Sequence, residues 1–452
     1  MKKILFLTSN FPPGRTVGTQ RVTKILKYID GSEFEFHVLT LEEAFYGDTY
    51  DKNKPLEQRI PDSVKVYRTP IRDLTKGFTY VKSLITGKKE KTVTERPANS
   101  NRNNSVPGKP QNNKSLVSRL AHKGRDFFFS FLEFPDKYIG WYKDAVKEGV
   151  RIVREEKIDI LLTTAPPHSL FVMATRIKKL TGVKLVLDYR DPWALSRWDK
   201  GSRIKTASES YLEKKAIKAA DAALFVTDKL QKEYARHYQQ FNPDKFHVFY
   251  NGYDADDFKG KQCEPTKPPL RFIHLGTLYK KRNPEKLFEA VRQLKEEGLL
   301  SAGQVQFEFI GYVARELDFL FDRLAAYDLD DLIIFKPNID FESSLTTMYE
   351  ASVLVIVQPF TDLQVPAKLL EYMYTERPIL ALCEPGSATA EVIENGSLGV
   401  VAASQDVAEI RKAILMLLDH LQQPQFKSDV RYIQSFNMKE YIKKLEDIFR
   451  SL

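Results

Sequence analysis

Short apolar runs alternate with helical stretches along almost the whole chain, and that alternation limits its fold more than any other property. Ile4 to Thr8, Phe36 to Thr40, Lys65 to Arg68, Ile160 to Thr164, Leu185 to Asp188, Ala223 to Thr227 and His247 to Tyr250 read as one set of strands. A second set begins at Phe272 and continues with Gln306 to Ile310, Leu332 to Lys336, Leu354 to Gln358, Ile379 to Cys383 and Gly399 to Val401. Helical periodicity fills the intervals, as in Leu170 to Leu180 and Tyr211 to Ala220. Strands joined through helices pair in parallel, and a parallel sheet takes helices on both faces. The pattern therefore predicts an α/β protein with two doubly wound sheets. A length of 452 residues suits two such domains better than one core. A Lys, Pro and Asp cluster from Asp254 to Pro269 marks the boundary, giving domains at 1–255 and 256–436. No repeat of about 20 to 50 residues is present, which argues against a solenoid.

The formal charge of +9 suggests nucleic acid until its location is considered. Twelve Lys or Arg between Lys76 and Arg125 face only Glu90 and Glu95, so the domain bodies are close to neutral. Within this region, residues 86–115 have almost no apolar side chains and read as a mobile basic insert. The aromatic stretch Phe127 to Asp144 follows, and packing in the N-terminal core is the expectation for it. The alternative is that insert and aromatics together dock on an anionic membrane surface. No apolar run approaches the roughly 18 residues of a membrane span, and Pro12 and Pro13 break the N-terminal run too early for a signal peptide. The expected location is cytoplasmic, with peripheral contact at the inner face of the cell membrane as the finer expectation. Cys263 and Cys383 have no metal-binding spacing.

Two segments carry the chemistry. Leu270 to Pro284, LRFIHLGTLYKKRNP, is a strand that breaks at Gly276 and Thr277 and restarts as a helix with Asn283 as cap and Pro284 at the first helical position. Free N–H groups at a helix start beside Lys280, Lys281 and Arg282 suit a diphosphate. Val365 to Pro378, VPAKLLEYMYTERP, places Lys368 and Glu371 three apart, a cation for phosphate and an acceptor for vicinal hydroxyls. In the N-terminal half, Gly14 and Gly18 follow the first strand, and Gly18 either admits a phosphate closely or satisfies a turn dihedral. Arg21 can contact an anion or remain a solvated surface charge. His168 in TTAPPHS lies at a strand end, with Ser169 placed to cap the next helix. Asp188, Arg190 and Asp191 precede Pro192 and Trp193; Asp191 can orient an acceptor hydroxyl and Arg190 can keep it ionised, or the trio is a buried ion pair. Asp254 and Asp256 form a DxD pattern but follow Asn251 and Gly252, and read as turn and capping residues. Asp328, Asp330 and Asp331 read as a solvated loop. Pro385 to Gly396 offers a further helix start, where N–H groups of Ser387 and its neighbours can approach a phosphate or sugar.

These motifs resemble the retaining glycosyltransferases of the two-domain GT-B fold. In that family a G-x-x-Y-x-x-R-x-P segment and a P-x-K-x-x-E-Y segment line the donor site, as Gly276 to Pro284 and Pro366 to Tyr372 do in this sequence. MKKILFLTSNFPPGRTVGTQRV, LVLDYRDPW and FYNGYD extend the likeness over nearly the whole chain outside the insert. The resemblance implies two Rossmann-like domains facing a cleft, with a last helix, 437–452, crossing back onto the N-terminal domain. It also implies a nucleotide-sugar donor held by Gly18, Gly276, Thr277, Arg282, Lys368, Leu369, Glu371 and Ser387. Arg282 and Lys368 would stabilise the leaving diphosphate, with Asp191 and His168 as further catalytic candidates and Arg21, Arg190 and Asp191 on the acceptor side. No metal or other cofactor is expected, since basic side chains meet the leaving-group charge. One departure stands out: many relatives carry a second glutamate eight residues before Glu371, where this chain has Leu363.

The implied activity is sugar transfer with retention to an acceptor hydroxyl, with a lipid-linked oligosaccharide in surface-polysaccharide synthesis as the expected acceptor. A nucleotide-sugar 2-epimerase, a non-catalytic nucleotide-sugar binder and a nucleic-acid-binding protein remain as rivals. A nicotinamide enzyme would need a G-x-G-x-x-G turn that Gly14 and Gly18 do not form.

Overall fold

The computed structural model of the protein describes residues 1–47, 50, 56–74, 132–196, 202–262, 267–425 and 427–452. The basic insert at 86–115 and the first part of the aromatic stretch lie outside these residues.

A seven-stranded sheet occupies the N-terminal half: β1 (Lys2–Leu7), β2 (Phe34–Leu41), β3 (Lys65–Thr69), β4 (Ile160–Ala165), β5 (Lys184–Tyr189), β6 (Ala222–Phe225) and β7 (Phe246–Val248), in the order β3-β2-β1-β4-β5-β6-β7. The second sheet has six strands, β8 (Leu270–Leu275), β9 (Val305–Ile310), β10 (Ile333–Lys336), β11 (Val353–Gln358), β12 (Ile379–Cys383) and β13 (Gly399–Ala402), ordered β10-β9-β8-β11-β12-β13. Neighbours pair in parallel, for example Ile4 with Phe36 and Phe272 with Phe307. Each expected strand is present, with ends shifted by a few residues. In both sheets the order reverses beside the first strand, between β1 and β4 and between β8 and β11. Crevices form beyond the carboxyl ends of strands at such reversals, and ligands of α/β sheets bind there.

The side chains of β1 show why the sheet is covered on both faces. Ile4 and Phe6 enter one apolar cluster, whereas Leu5 and Leu7 enter another. The first cluster continues through Phe249, Tyr253, Ile273 and Ile356 to the last helix, so one apolar body links the two sheets.

In chain order the helices are α1 (Val17–Tyr28), α2 (Tyr142–Glu155), α3 (Ser169–Thr181), α4 (Arg203–Ala219), α5 (Asp228–His237), α6 (Glu285–Glu296), α7 (Phe319–Ala326), α8 (Phe341–Glu350), α9 (Ala367–Tyr374), α10 (Ala388–Asn395), α11 (Val407–Gln422), α12 (Val430–Gln434) and α13 (Met438–Ser451). As expected, α13 crosses back: Phe449 meets Phe34 edge-on at 5.8 Å, and Lys2 Nζ donates to its carbonyl at 2.8 Å. From Lys137 onward the aromatic stretch packs on the N-terminal core, with Trp141 fully buried and its indole N–H on Thr69 Oγ1 at 2.7 Å. Asp254 caps a short 3₁₀ turn through Asp256 N–H at 3.0 Å and pairs with Lys27 of α1 at 2.8 Å. That agrees with a turn role for the DxD pattern.

Candidate active site

On the C-terminal side the site begins where β8 stops. Gly276 has φ +148°, a conformation that favours glycine, and its N–H donates to Ile310 O at 3.0 Å. Gly311 must also lack a side chain, because a Cβ there would lie 2.3 Å from Gly276 O. Held this way, the chain makes one 3₁₀ turn, Lys280–Arg282, before α6. Neither start residue sits where the pattern put it: Pro284 is at the cap rather than the first helical position, and Asn283 lies one residue before it, its side chain accepting Glu285 N–H at 3.0 Å. The Arg282 guanidinium lies 5.6 Å from the Tyr279 ring centroid, and its buried Nε has no hydrogen-bond partner. Thr277 is exposed at the start of the same loop.

Lys368 and Glu371, on α9, form an ion pair at 2.8 Å. Lys368 Nζ also lies 5.8 Å from the Phe341 ring centroid, while Glu371 is only 5% exposed. Their neighbours correct two expectations about the donor site. Leu369 is fully buried in the core, and its N–H donates to Pro366 O at 3.0 Å. Ser387 is the buried cap of α10: its hydroxyl accepts Ala390 N–H at 3.2 Å and its own N–H donates to Glu384 O at 3.0 Å. Next to it, Ala388 N–H donates to Asp362 O at 2.8 Å. These groups are engaged within the protein, which removes the reason for assigning them to a donor.

On the N-terminal side, Arg21 is also an internal residue. It is 4% exposed, binds Asp188 with Nε and Nη2 at 2.8 Å each, and donates further to Phe249 O, Tyr250 O and Asn251 Oδ1. With its donors occupied, it holds β5 to the chain after β7 and is not an acceptor contact. Gly18 lies inside α1 rather than in a turn. A Cβ there would fall 2.3 Å from Arg190 Nη1 and 2.6 Å from Asn10 Cγ, so the missing side chain makes room for Arg190 instead of a phosphate. Ser169 is the first residue of α3 and caps nothing; Asp136 performs the capping, accepting the Ser169 N–H at 2.9 Å and its hydroxyl at 2.7 Å.

Arg190 and Asp191 follow β5 and face the loop of Arg282. Arg190 donates to Pro166 O, and its buried Nε has no hydrogen-bond partner. Asp191 accepts from Gln364 Nε2 of the other domain. Burial pushes the Asp191 carboxyl above the usual carboxylate range, while Arg190, Gln364, Arg282 and Lys281 pull it down. His168 stacks on Trp193 at 4.9 Å with the rings 7° from parallel. Burial, and then the nearby Arg190 charge, lower its pKa to about 3, so the imidazole is neutral at physiological pH.

Of these, Arg190, Asp191, Arg282 and Gln364 meet in a cleft of about 420 Å³, lined also by Tyr279 and Lys281 among others, whereas Lys368, Gly276 and Thr277 do not line it. Val17 and Asn251 contribute from the N-terminal side, and Gln358, Thr361 and Ala367 from the C-terminal side. A second cleft of about 670 Å³ shares Arg190 and runs over His168, Pro192 and Trp193 within the N-terminal half. Glu371 lines a small adjoining crevice together with Ala367 and Asn251. Leu363 does not line the main cleft: it packs against the N-terminal core, and its carbonyl accepts the Thr227 hydroxyl at 2.6 Å. Gln364 is the main residue the sequence analysis missed. Its signal was its place directly after the departing Leu363.

Two family descriptions match the chain. Glycosyltransferase Family 4 matches residues 107–257, and Glycosyl transferases group 1 matches residues 269–420. The two sheets, their facing crevices and this pair of matches agree. The chain belongs to the GT-B glycosyltransferases.

Among solved structures, sucrose-phosphate synthase of Thermosynechococcus elongatus aligns over 100% of this chain and 99% of its own, with a TM-score of 0.64 at 13% identity. HepE of Anabaena, determined with UDP-glucose, aligns over 100% of both chains with a TM-score of 0.63 at 14% identity. A protein of Listeria monocytogenes named as a UDP-N-acetylglucosamine 2-epimerase aligns over 100% of this chain and 96% of its own, with a TM-score of 0.55 at 14% identity. At such identities the likeness is one of fold. A curated relative, named as the colanic acid biosynthesis glycosyltransferase WcaL of Salmonella typhimurium, is 24% identical over 215 residues. That match covers 46% of this GT-B chain and 52% of WcaL, about half the length of the relative.

Proposed function

We propose that the protein transfers a glycosyl group from a nucleoside-diphosphate sugar to an acceptor hydroxyl, with retention at the anomeric carbon. The observation that carries this reading is the main cleft, where Arg282 and Lys281 of one domain face Arg190 and Asp191 of the other. Arg282, with an unpartnered buried Nε, is built to meet diphosphate charge as it develops, and Lys368 adds a second cation. Glu371 is the acceptor for the ribose hydroxyls. Thr361 and Gln364 take over donor-sugar contacts where Leu363 has turned away. Across the cleft, Asp191 orients the acceptor hydroxyl, its affinity for a proton raised by burial. Neutral His168 offers a hydrogen bond from the adjoining cleft.

The proposed acceptor is a lipid-linked oligosaccharide of surface-polysaccharide assembly, handled by a cytoplasmic protein at the inner membrane face. Support comes from WcaL, which is named for colanic acid biosynthesis, and from a second neighbour of this fold, the lipopolysaccharide outer core galactosyltransferase WaaB. Among the described residues no helix is long and apolar enough to cross a membrane, so the proposed membrane contact is peripheral.

The test is product formation from nucleotide sugars with a lipid-linked acceptor extract, with anomeric configuration read by proton NMR. Transfer with retention, reduced about 10²- to 10³-fold in kcat by Arg282→Ala, is the expected result. Conversion of the donor sugar without any acceptor would instead favour the epimerase alternative.

A further inference from the structure

Beneath the loop from Asp191 to Ala194 lies a carboxyl group that the proposed chemistry leaves unused. Glu213, on the inward face of α4, is fully buried. Tyr234 donates to it at 2.5 Å, Tyr238 donates at 2.8 Å, and the Ala194 peptide N–H also donates. None of these partners is charged. The Tyr234 hydroxyl in turn accepts the Trp193 N–H at 2.9 Å. Two successive peptides of the loop are thus tied to one carboxyl group, Ala194 directly and Trp193 through Tyr234. The same loop carries Asp191 and keeps Trp193 stacked on His168.

Three donors on one carboxyl group match its ionised form. A protonated carboxyl has to donate, which displaces one of the three. We propose that Glu213 is a positioning residue whose proton occupancy sets the order of the acceptor-side loop: the carboxylate holds Trp193 and Ala194, and protonation loosens them. The link to catalysis rests on the role proposed for Asp191; the anchoring of the loop does not.

The surroundings place this change near neutrality. Burial raises the Glu213 carboxyl to about 7, with the two tyrosines and the Ala194 peptide opposing and Glu209 on the same helix adding to the rise. Tyr189 faces it from β5 and Tyr234 and Tyr238 from the α5 side; burial first, and then Glu213, hold all three phenols above their ordinary range, so they stay protonated. Because the folded-state pKa is raised, the associated stability is complete below about 4.5 and is lost as the pH climbs through about 7. Loop order instead rises at about pH 7, where the folded-state carboxyl ionises. Opposite trends in stability and loop order separate this role from that of a glutamate that merely supports the fold.

Fluorine NMR of the full chain carrying 5-fluorotryptophan tests it, with the Trp193 resonance assigned by its loss in Trp193→Phe. That resonance should titrate with a midpoint near pH 7, and in Glu213→Gln it should stay at the acid-form position throughout. Tyr238→Phe, which removes a donor to the carboxylate, should move the midpoint to higher pH. In transfer assays kcat should fall below pH 7 in the wild type, and Glu213→Gln should lack that limb with donor KM unchanged. A Trp193 resonance that is flat, or that titrates identically in Glu213→Gln, would overturn the proposal. If Glu213→Gln does not fold, an unmoved midpoint in Tyr238→Phe overturns it. A normal fluorine titration in a protein that transfers no sugar would count against the proposed function and leave the Glu213 anchor standing.

Discussion

The place of Arg282 on the cleft wall was legible because local signals surround it: a strand, a glycine that must break it, and a helix start. Arg21 was not, since its partner Asp188 lies 167 residues away and nothing near Arg21 in the sequence marks the pairing. The pair is a buried ion pair, and removing one member leaves the other charge uncompensated. Arg21→Ala should therefore destabilise the protein by about 3–5 kcal/mol, read as a large drop in thermal midpoint. Gly18 was misread for a related reason: a glycine near a strand end looks the same whether the approaching group is a ligand or another side chain. The structure names Arg190 as that group. Gly18→Ala should displace Arg190, costing about 1–3 kcal/mol in stability and lowering kcat, whereas a glycine serving only a turn would leave kcat unchanged. Comparing kcat and thermal midpoint of that variant with wild type separates the two.

At the scale of elements, the strands were the most readable part of the chain. The central strands bury two apolar faces and so appear as compact apolar runs, as in β11, where every residue from Val353 to Gln358 is buried; the edge strand β3, Lys65–Thr69, has no buried residue. The start of α3 was read less well, because its capping group arrives from a distant segment: Asp136 binds the Ser169 N–H and hydroxyl from 33 residues earlier in the chain. The docking of α13 came from family resemblance, since no local pattern tells a helix which domain to cover. Its contact is concrete in the rings of Phe34, Phe36 and Phe449. Phe449→Ala should cost about 3–5 kcal/mol and loosen α13 from the N-terminal domain. Hydrogen exchange should then show faster exchange in α13 and β1, with β12 and β13 unchanged.

For the whole molecule, two sheets with facing crevices make a site that neither domain completes alone. Thr227 with Leu363 and Asp191 with Gln364 bridge the domains beside the cleft, so the loop that departs from the family pattern also helps set closure. Closure would exclude water and limit donor hydrolysis. Since the proposed mechanism meets diphosphate charge with Arg282, Lys281 and Lys368, chelation with EDTA should leave transfer unchanged; loss of activity restored by a divalent ion would contradict that part of the account.

The proposed function requires the interdomain cleft to bind a nucleotide sugar through Arg282 and Glu371. Its most direct test is the thermal midpoint of wild type and the Arg282→Ala, Glu371→Ala double variant with UDP-, GDP-, ADP- and dTDP-sugars. One nucleotide class should stabilise the wild type, and none should stabilise the variant. Equal stabilisation of both proteins, or none with any donor, would contradict it.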